Sequence, residues 1–178
     1  MPFEFAFLDS LQAIRNPVLD ALSVFFDYAG AHGEIWILVT VILLLRRSTR
    51  KAGAAMAAAL GLYMLAGHWV LKPLFARPRP CDIRPEMLTL VARPNGWSFP
   101  SGHTASGFSA AFALWMQNRR LGVPALMLAA FIGFTRLYLY VHFPTDVLGG
   151  AALGIALGAI ASVFVDSMTN HFKKKQIV

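Results

Sequence analysis

The sequence predicts an all-α fold: a polytopic transmembrane bundle of about six helices, with an N-terminal amphipathic helix and one long outer loop. Three observations predict it. Of 178 residues, 57% are hydrophobic and 14% are charged, against about a quarter charged in soluble domains. Apolar segments recur along the whole length, which suits a single membrane-embedded domain over residues 1–178 and excludes disorder. The net charge of +7 is gathered into Arg46, Arg47, Arg50 and Lys51, then Arg119 and Arg120, then Lys173 to Lys175. Each cluster flanks an apolar segment, as cytoplasmic loops do. No basic stripe with aromatic partners marks a nucleic-acid face, so no nucleic-acid partner is expected.

Residues 3–14 space Phe3, Phe7, Leu8, Leu11 and Ile14 at helical intervals with polar residues between them, which predicts a helix lying in the membrane interface. The first ten residues carry no positive charge, so no cleaved signal peptide is expected. Asn16-Pro17 is a helix start signal, and residues 17–29 follow as a short hydrophobic helix carrying Asp20 and Asp27. Gly30 to Gly33 break the chain. Residues 34–45 and 52–71 are the next two helices, the second with Gly53, Ala57 and Gly61 at four-residue spacing for close helix approach. Residues 72–100, with six prolines and no apolar run, are the long loop. Residues 102–117, 123–141 and 145–165 are three more helices, the last with Gly150, Gly154 and Gly158 on one ridge. Such ridges suit internal packing or a homodimer. If the basic clusters are cytoplasmic, residues 72–100 and the turn at 142–145 share the outer side.

Those outer stretches hold the chemistry. Lys72, Arg77 and Arg79 sit among Pro73, Pro78 and Pro80, a stiff basic segment suited to phosphate or to lipid headgroups generally. Pro100-Ser101-Gly102-His103 is a turn entering a helix, where backbone N–H groups favour an anion; an ordinary capped helix reads the same way. Arg136 lies in a hydrophobic helix, where a charge is costly and functional unless it snorkels to the interface. His142 and Asp146 are four residues apart across Pro144. Asp146 can cap the last helix or hold one ring nitrogen of His142, leaving the other free to attack. Several cations, an oriented nucleophile and a second histidine as acid make a phosphoryl-transfer set. Two histidines fall short of the three protein ligands of a catalytic zinc, so no metal and no cofactor is expected. His32, His68 and His171 lack these partners and are expected to be structural or interfacial. Cys81 is the one thiol and excludes an internal disulfide.

At these residues the chain closely resembles the type 2 phosphatidic acid phosphatase superfamily, shared with bacterial acid phosphatases and vanadium haloperoxidases. The matching motifs are Lys72 to Arg79-Pro80, Pro100-Ser101-Gly102-His103, and Thr135-Arg136 with His142 and Asp146. Thr135 stands where the family commonly has Ser and keeps the hydroxyl. The resemblance implies that His142 attacks phosphorus, Asp146 orients it, and His103 protonates the leaving group. It implies a phosphate held by Lys72, Arg79, Arg136, Ser101 and the Gly102 amide, without a metal. Arg77 lies outside the motif and is added as a further phosphate contact. The expected substrate is a lipid phosphate at the outer face of the cell membrane, undecaprenyl pyrophosphate first and phosphatidylglycerophosphate or phosphatidate as alternatives. A non-catalytic protein that binds or moves anionic lipids is the competing class.

Overall fold

The computed structural model describes residues 2–30, 33–87 and 89–175, with side chains to residue 171. Every regular element among them is helical. Helix α1 spans Pro2–Gln12, α2 Pro17–Gly30, α3 Glu34–Leu45 and α4 Arg50–Tyr63. The last continues through a π-helical stretch, Met64–Leu71, into a final α-helical turn, α5, at Lys72–Phe75. A short α6, Pro80–Ile83, interrupts the loop, and α7 Gly102–Gln117, α8 Arg119–Tyr138 and α9 Pro144–Lys175 complete the bundle.

Among the described residues, three runs are long and apolar enough to cross a membrane: Arg50–Ile83, Arg119–Tyr138 and Pro144–His171, with a fourth if α2 and α3 form one bent span. The chain is a multi-pass membrane protein. Local sequence explains the helix starts. The Asn16 side chain accepts the Val18 and Leu19 N–H groups at 3.1 and 3.0 Å, which satisfies two of the four orphan donors of α2. Asn118 does the same for α8 through Leu121, so α8 begins four residues before the expected Val123. It also ends earlier than expected, at Tyr138, because Tyr140 turns into the left-handed region at φ 62°. Helix α9 outruns its expected end at residue 165 and carries the basic tail as helix to Lys175.

Helix α7 is the hub, packed against α9, α8 and α4. Its buried face is small: Ala105, Gly107, Ala110, Ala111 and Ala113. Opposite it stands the glycine ridge of α9. A Cβ on Gly150, Gly154 or Gly158 would sit 2.9, 2.6 or 2.6 Å from the carbonyl oxygens of Ser101, Ala105 and Ser109. The four-residue periods of the two helices are in register, so this ridge serves packing within the chain. The first turns of the two helices are also tied directly, by Ser101 N–H donating to the Asp146 carbonyl at 3.0 Å.

Candidate active site

The turn Leu139–Phe143 doubles the chain back between α8 and α9 and presents His142 at their common end. The left-handed Tyr140 makes that reversal, held by its hydroxyl donating to Asp9 at 2.8 Å. A non-glycine residue in that conformation is strained and persists where surroundings fix it.

His142 is buried, with 3% exposed. Its Nε2 lies 3.1 Å from Arg79 Nη1. A guanidinium only donates, so Nε2 accepts and the ring proton sits on Nδ1. On that side the Asp146 carboxylate is 3.6 Å away, beyond direct hydrogen bonding. Ser98 fills the gap: its hydroxyl donates to Asp146 Oδ2 at 2.5 Å, and its Oγ lies 3.3 Å from His142 Nδ1. The expected His142–Asp146 link thus runs through a serine absent from the sequence reading. Asp146 also accepts Phe143 N–H at 2.8 Å, so it caps α9 as well. Burial, above all, pushes the His142 pKa down to about 3, and the cations Arg79 and Lys72 push the same way; Asp146 pulls it back up. The imidazole is neutral at neutral pH, with an unprotonated Nε2.

The loop anchors two cations largely through its own carbonyls. Arg79 donates to Gly96 O at 3.0 Å, to Val141 O at 3.1 Å, and to Asn95 O and Trp97 O at 3.4 Å. Lys72 donates to the same Trp97 carbonyl at 2.7 Å, from the last turn of the long helical run rather than from the loop. Arg136 is 1% exposed and does not snorkel. It bonds Asp27 at 2.5 Å and the Thr135 hydroxyl at 2.8 Å. Asp27, noted in the sequence but given no role there, is the second addition to the site, although an acid in an apolar segment is itself a signal. The same residue's carbonyl lies 3.4 Å from His103 Nε2.

One cavity of about 680 Å³ receives Lys72, Arg79, Gly102, His103, Arg136 and His142. Apolar side chains, among them Ile37, Leu60 and Met64, line it as well. His68, expected to be structural or interfacial, also lines it. His32 lies outside the described residues. Three of the expected site residues stand behind the cavity and not in its wall. Ser101 is fully buried and its Oγ accepts the Thr104 hydroxyl at 2.9 Å. Asp146 stands behind His142. Arg77, expected on phosphate, instead donates to Asp146 Oδ1 at 2.6 Å and to Glu4 at 2.8 Å. No group of three His, Cys, Asp or Glu side chains is gathered among the described residues.

Comparison with known proteins places this geometry. The family model described as the PAP2 superfamily matches residues 35–169. An undecaprenyl-diphosphatase of Bacillus subtilis is 28% identical over 152 residues, 85% of this chain and 78% of its own. Phosphatidylglycerophosphatase B of the same organism is 30% identical over 176 residues, covering 91% of this chain and 82% of its own. The crystal structure of Aquifex aeolicus LpxE superposes with a TM-score of 0.76 at 29% identity, over 89% of this chain and 94% of that one. The B. subtilis transmembrane PAP2-type phosphatidylglycerolphosphate phosphatase gives 0.76 at 26% identity, over 93% and 86%.

Proposed function

The chain belongs to the PAP2 superfamily, and from that premise we propose that it is a metal-independent lipid phosphatase working through a phosphohistidine. The observation that carries the reading is His142 Nε2, unprotonated and 3.1 Å from a guanidinium, at the wall of a cavity that also receives Lys72, Arg136 and His103. Lys72, Arg79, Arg136 and the Gly102 amide hold the phosphoryl oxygens, and their fixed charge stabilises the transition state. Nε2 attacks phosphorus as its bond to the leaving oxygen breaks, the bridging oxygen of a pyrophosphate or the ester oxygen of a monophosphate, and His103, protonated in the complex with the anionic headgroup, gives that oxygen its proton. Water then attacks the phosphohistidine, its proton returns to His103, and inorganic phosphate leaves. Ser98 and Asp146 hold the imidazole and balance the positive charge it gains.

Undecaprenyl pyrophosphate is the proposed substrate, supported by relatives named as undecaprenyl-diphosphatases, among them one from Sulfolobus acidocaldarius that is 30% identical over 157 residues. The apolar wall of Ile37, Leu60 and Met64 suits an acyl or prenyl tail beside the charged end. Phosphate release from a panel of purified lipids in detergent, with EDTA present, tests this. Turnover of undecaprenyl pyrophosphate ahead of phosphatidylglycerophosphate and phosphatidate is expected; no turnover of any of them overturns the enzyme reading.

The site is proposed to face the outer side of the cell membrane, since Arg46, Arg47, Arg119 and Arg120 lie at helix ends opposite those bearing His103 and His142. Cys81 is fully buried and is no topology probe. A cysteine at the exposed Arg93, in a Cys81→Ala background, reports orientation instead. Labelling by an impermeant maleimide on intact spheroplasts is expected, and labelling only after lysis inverts the topology.

A further inference from the structure

Four groups converge on the Asp146 carboxylate, and one of them comes from a chain that begins on α1. Oδ2 takes Ser98 and the Phe143 amide at 2.5 and 2.8 Å, and His142 Nδ1 lies 3.6 Å from the same oxygen. Oδ1 takes Arg77 Nη1 at 2.6 Å. The other arm of that guanidinium bonds Glu4 Oε2 at 2.8 Å. Thr145 closes the ring, its hydroxyl accepting from Arg77 at 2.7 Å and donating to Glu4 Oε1 at 2.6 Å. The Arg77 plane also lies over the Phe143 ring, 4.2 Å from its centroid, and Phe143 directly follows His142. Helix α1 is seated there by Phe5, Leu8 and Leu11, which bury against Tyr140 and Phe143.

A carboxylate with both oxygens occupied cannot rotate about its last bond. If Arg77 is removed, Oδ1 is left buried without a cation, and the turn that aims His142 loses the guanidinium stacked on Phe143. Glu4 in turn fixes Arg77 and offsets its charge, so the cation reaches Asp146 in one orientation. Neither residue lines the cavity.

We propose that Arg77, held by Glu4 of the N-terminal helix, is a positioning residue that fixes the Asp146 carboxylate and through it the attacking imidazole of His142. This rests on the phosphohistidine reading of the site. A residue that acts through another alters the chemical step and leaves substrate affinity alone, which separates this role from the phosphate contact expected from the sequence.

Purified full-length wild type and the variants Arg77→Gln, Arg77→Lys, Glu4→Gln and Glu4→Gln/Arg77→Gln are assayed for phosphate release from undecaprenyl pyrophosphate and from phosphatidate, with thermal unfolding measured alongside. Arg77→Gln is expected to lower kcat by about 10- to 100-fold, as a small misplacement of a reacting group does, with KM within about twofold. Arg77→Lys, which keeps one charge and loses the fork, is expected to recover part of kcat. Glu4→Gln lowers kcat less. The double variant is no worse than Arg77→Gln, because the two residues act as one unit.

A risen KM at unchanged kcat makes Arg77 a substrate contact and overturns the proposal. Additive losses in the double variant, or wild-type kcat in Arg77→Gln, overturn it as well. Should Arg77→Gln not fold, Glu4→Gln and Arg77→Lys carry the test, and wild-type kcat in both overturns it. A wild type that turns over neither lipid sinks the functional reading and this inference with it. An active wild type with an indifferent Arg77→Gln sinks this inference alone.

Discussion

Two regions deliver side chains to the same cavity by opposite physical means. The seam between α7 and α9 carries His103 and Asp146 on helices pressed together over glycine and alanine, so close that Gly154 has no room for a Cβ. The stretch from Ala76 to Ser101 has almost no regular structure. It holds Arg79 through three of its own carbonyls, those of Gly96, Asn95 and Trp97, with Val141 of the α8–α9 turn supplying a fourth. Apolar packing without gaps is stiff and tolerates little change in volume. A polar cradle tolerates volume changes but depends on each donor and acceptor. The seam therefore sets where His103 and the Asp146 carboxylate stand, and the loop sets where positive charge meets the cavity.

His142 belongs to both regions, since it faces Arg79 on one ring nitrogen and Ser98 with Asp146 on the other. Replacing it gives the largest effect: His142→Asn should cost on the order of 10⁴-fold or more in kcat, as loss of a nucleophile does. The folded protein should persist by size-exclusion chromatography. Survival of activity in this variant breaks the comparison at its centre.

Arg79→Ala comes next. It removes a cation from the wall and leaves its carbonyl acceptors open, so kcat/KM should fall by about 10²- to 10³-fold, as for one oxyanion-stabilising donor. The melting temperature should move little, because three of the four carbonyls belong to the exposed residues Asn95, Gly96 and Trp97. A melting temperature that falls while steady-state kinetics hold would assign the loop a packing role and erase the contrast.

Gly154→Ala should do the reverse. Its Cβ would meet the Ala105 carbonyl at 2.6 Å, and overpacking of this kind costs about 1–3 kcal/mol. Thermal unfolding should shift down by several degrees while KM for the folded fraction stays put. An unchanged melting temperature means that α7 and α9 slide past each other, and the seam is not stiff.

The most gradual effect is in pH. His142 is held below its ordinary value of 6.5, at about 3, so as the pH falls through 6.5 the unfolded chain takes up a proton that the folded ring refuses. Folded-state stability is therefore lost as pH drops from 6.5 toward 3, by at most about 1.4 kcal/mol per pH unit for one group. His142→Asn cannot protonate, so its stability-against-pH slope in that window should be shallower by one proton. Equal slopes would mean that the ring is solvated.

Legibility in the sequence followed chemistry rather than position. Lys72, Arg79, His103, Arg136 and His142 stand out because charge and imidazole are rare in an apolar chain, and all five line one cavity. Ser98 was illegible, since a serine in a loop has many uses and nothing in GWSFPSGH says that its hydroxyl bridges an imidazole and a carboxylate. Asp27 was visible as an acid in an apolar segment, but its partner Arg136 lies 109 residues away. Arg77 was assigned to phosphate by its neighbourhood, two residues from Arg79; the backbone between them turns the two guanidinium groups to opposite sides of Asp146 and His142.

By itself the sequence determined the helices, their membrane setting, their breaks at proline and glycine, and the kinds of side chain that phosphoryl transfer needs. Hydropathy, turn chemistry and charge are local quantities, written into consecutive residues. Only the tertiary structure decided which cations face the cavity, that a serine stands between His142 and Asp146, and that the N-terminal helix reaches the Asp146 carboxylate through Arg77. Those facts depend on how distant segments pack in three dimensions, where a hydrogen bond is made or lost over less than an ångström.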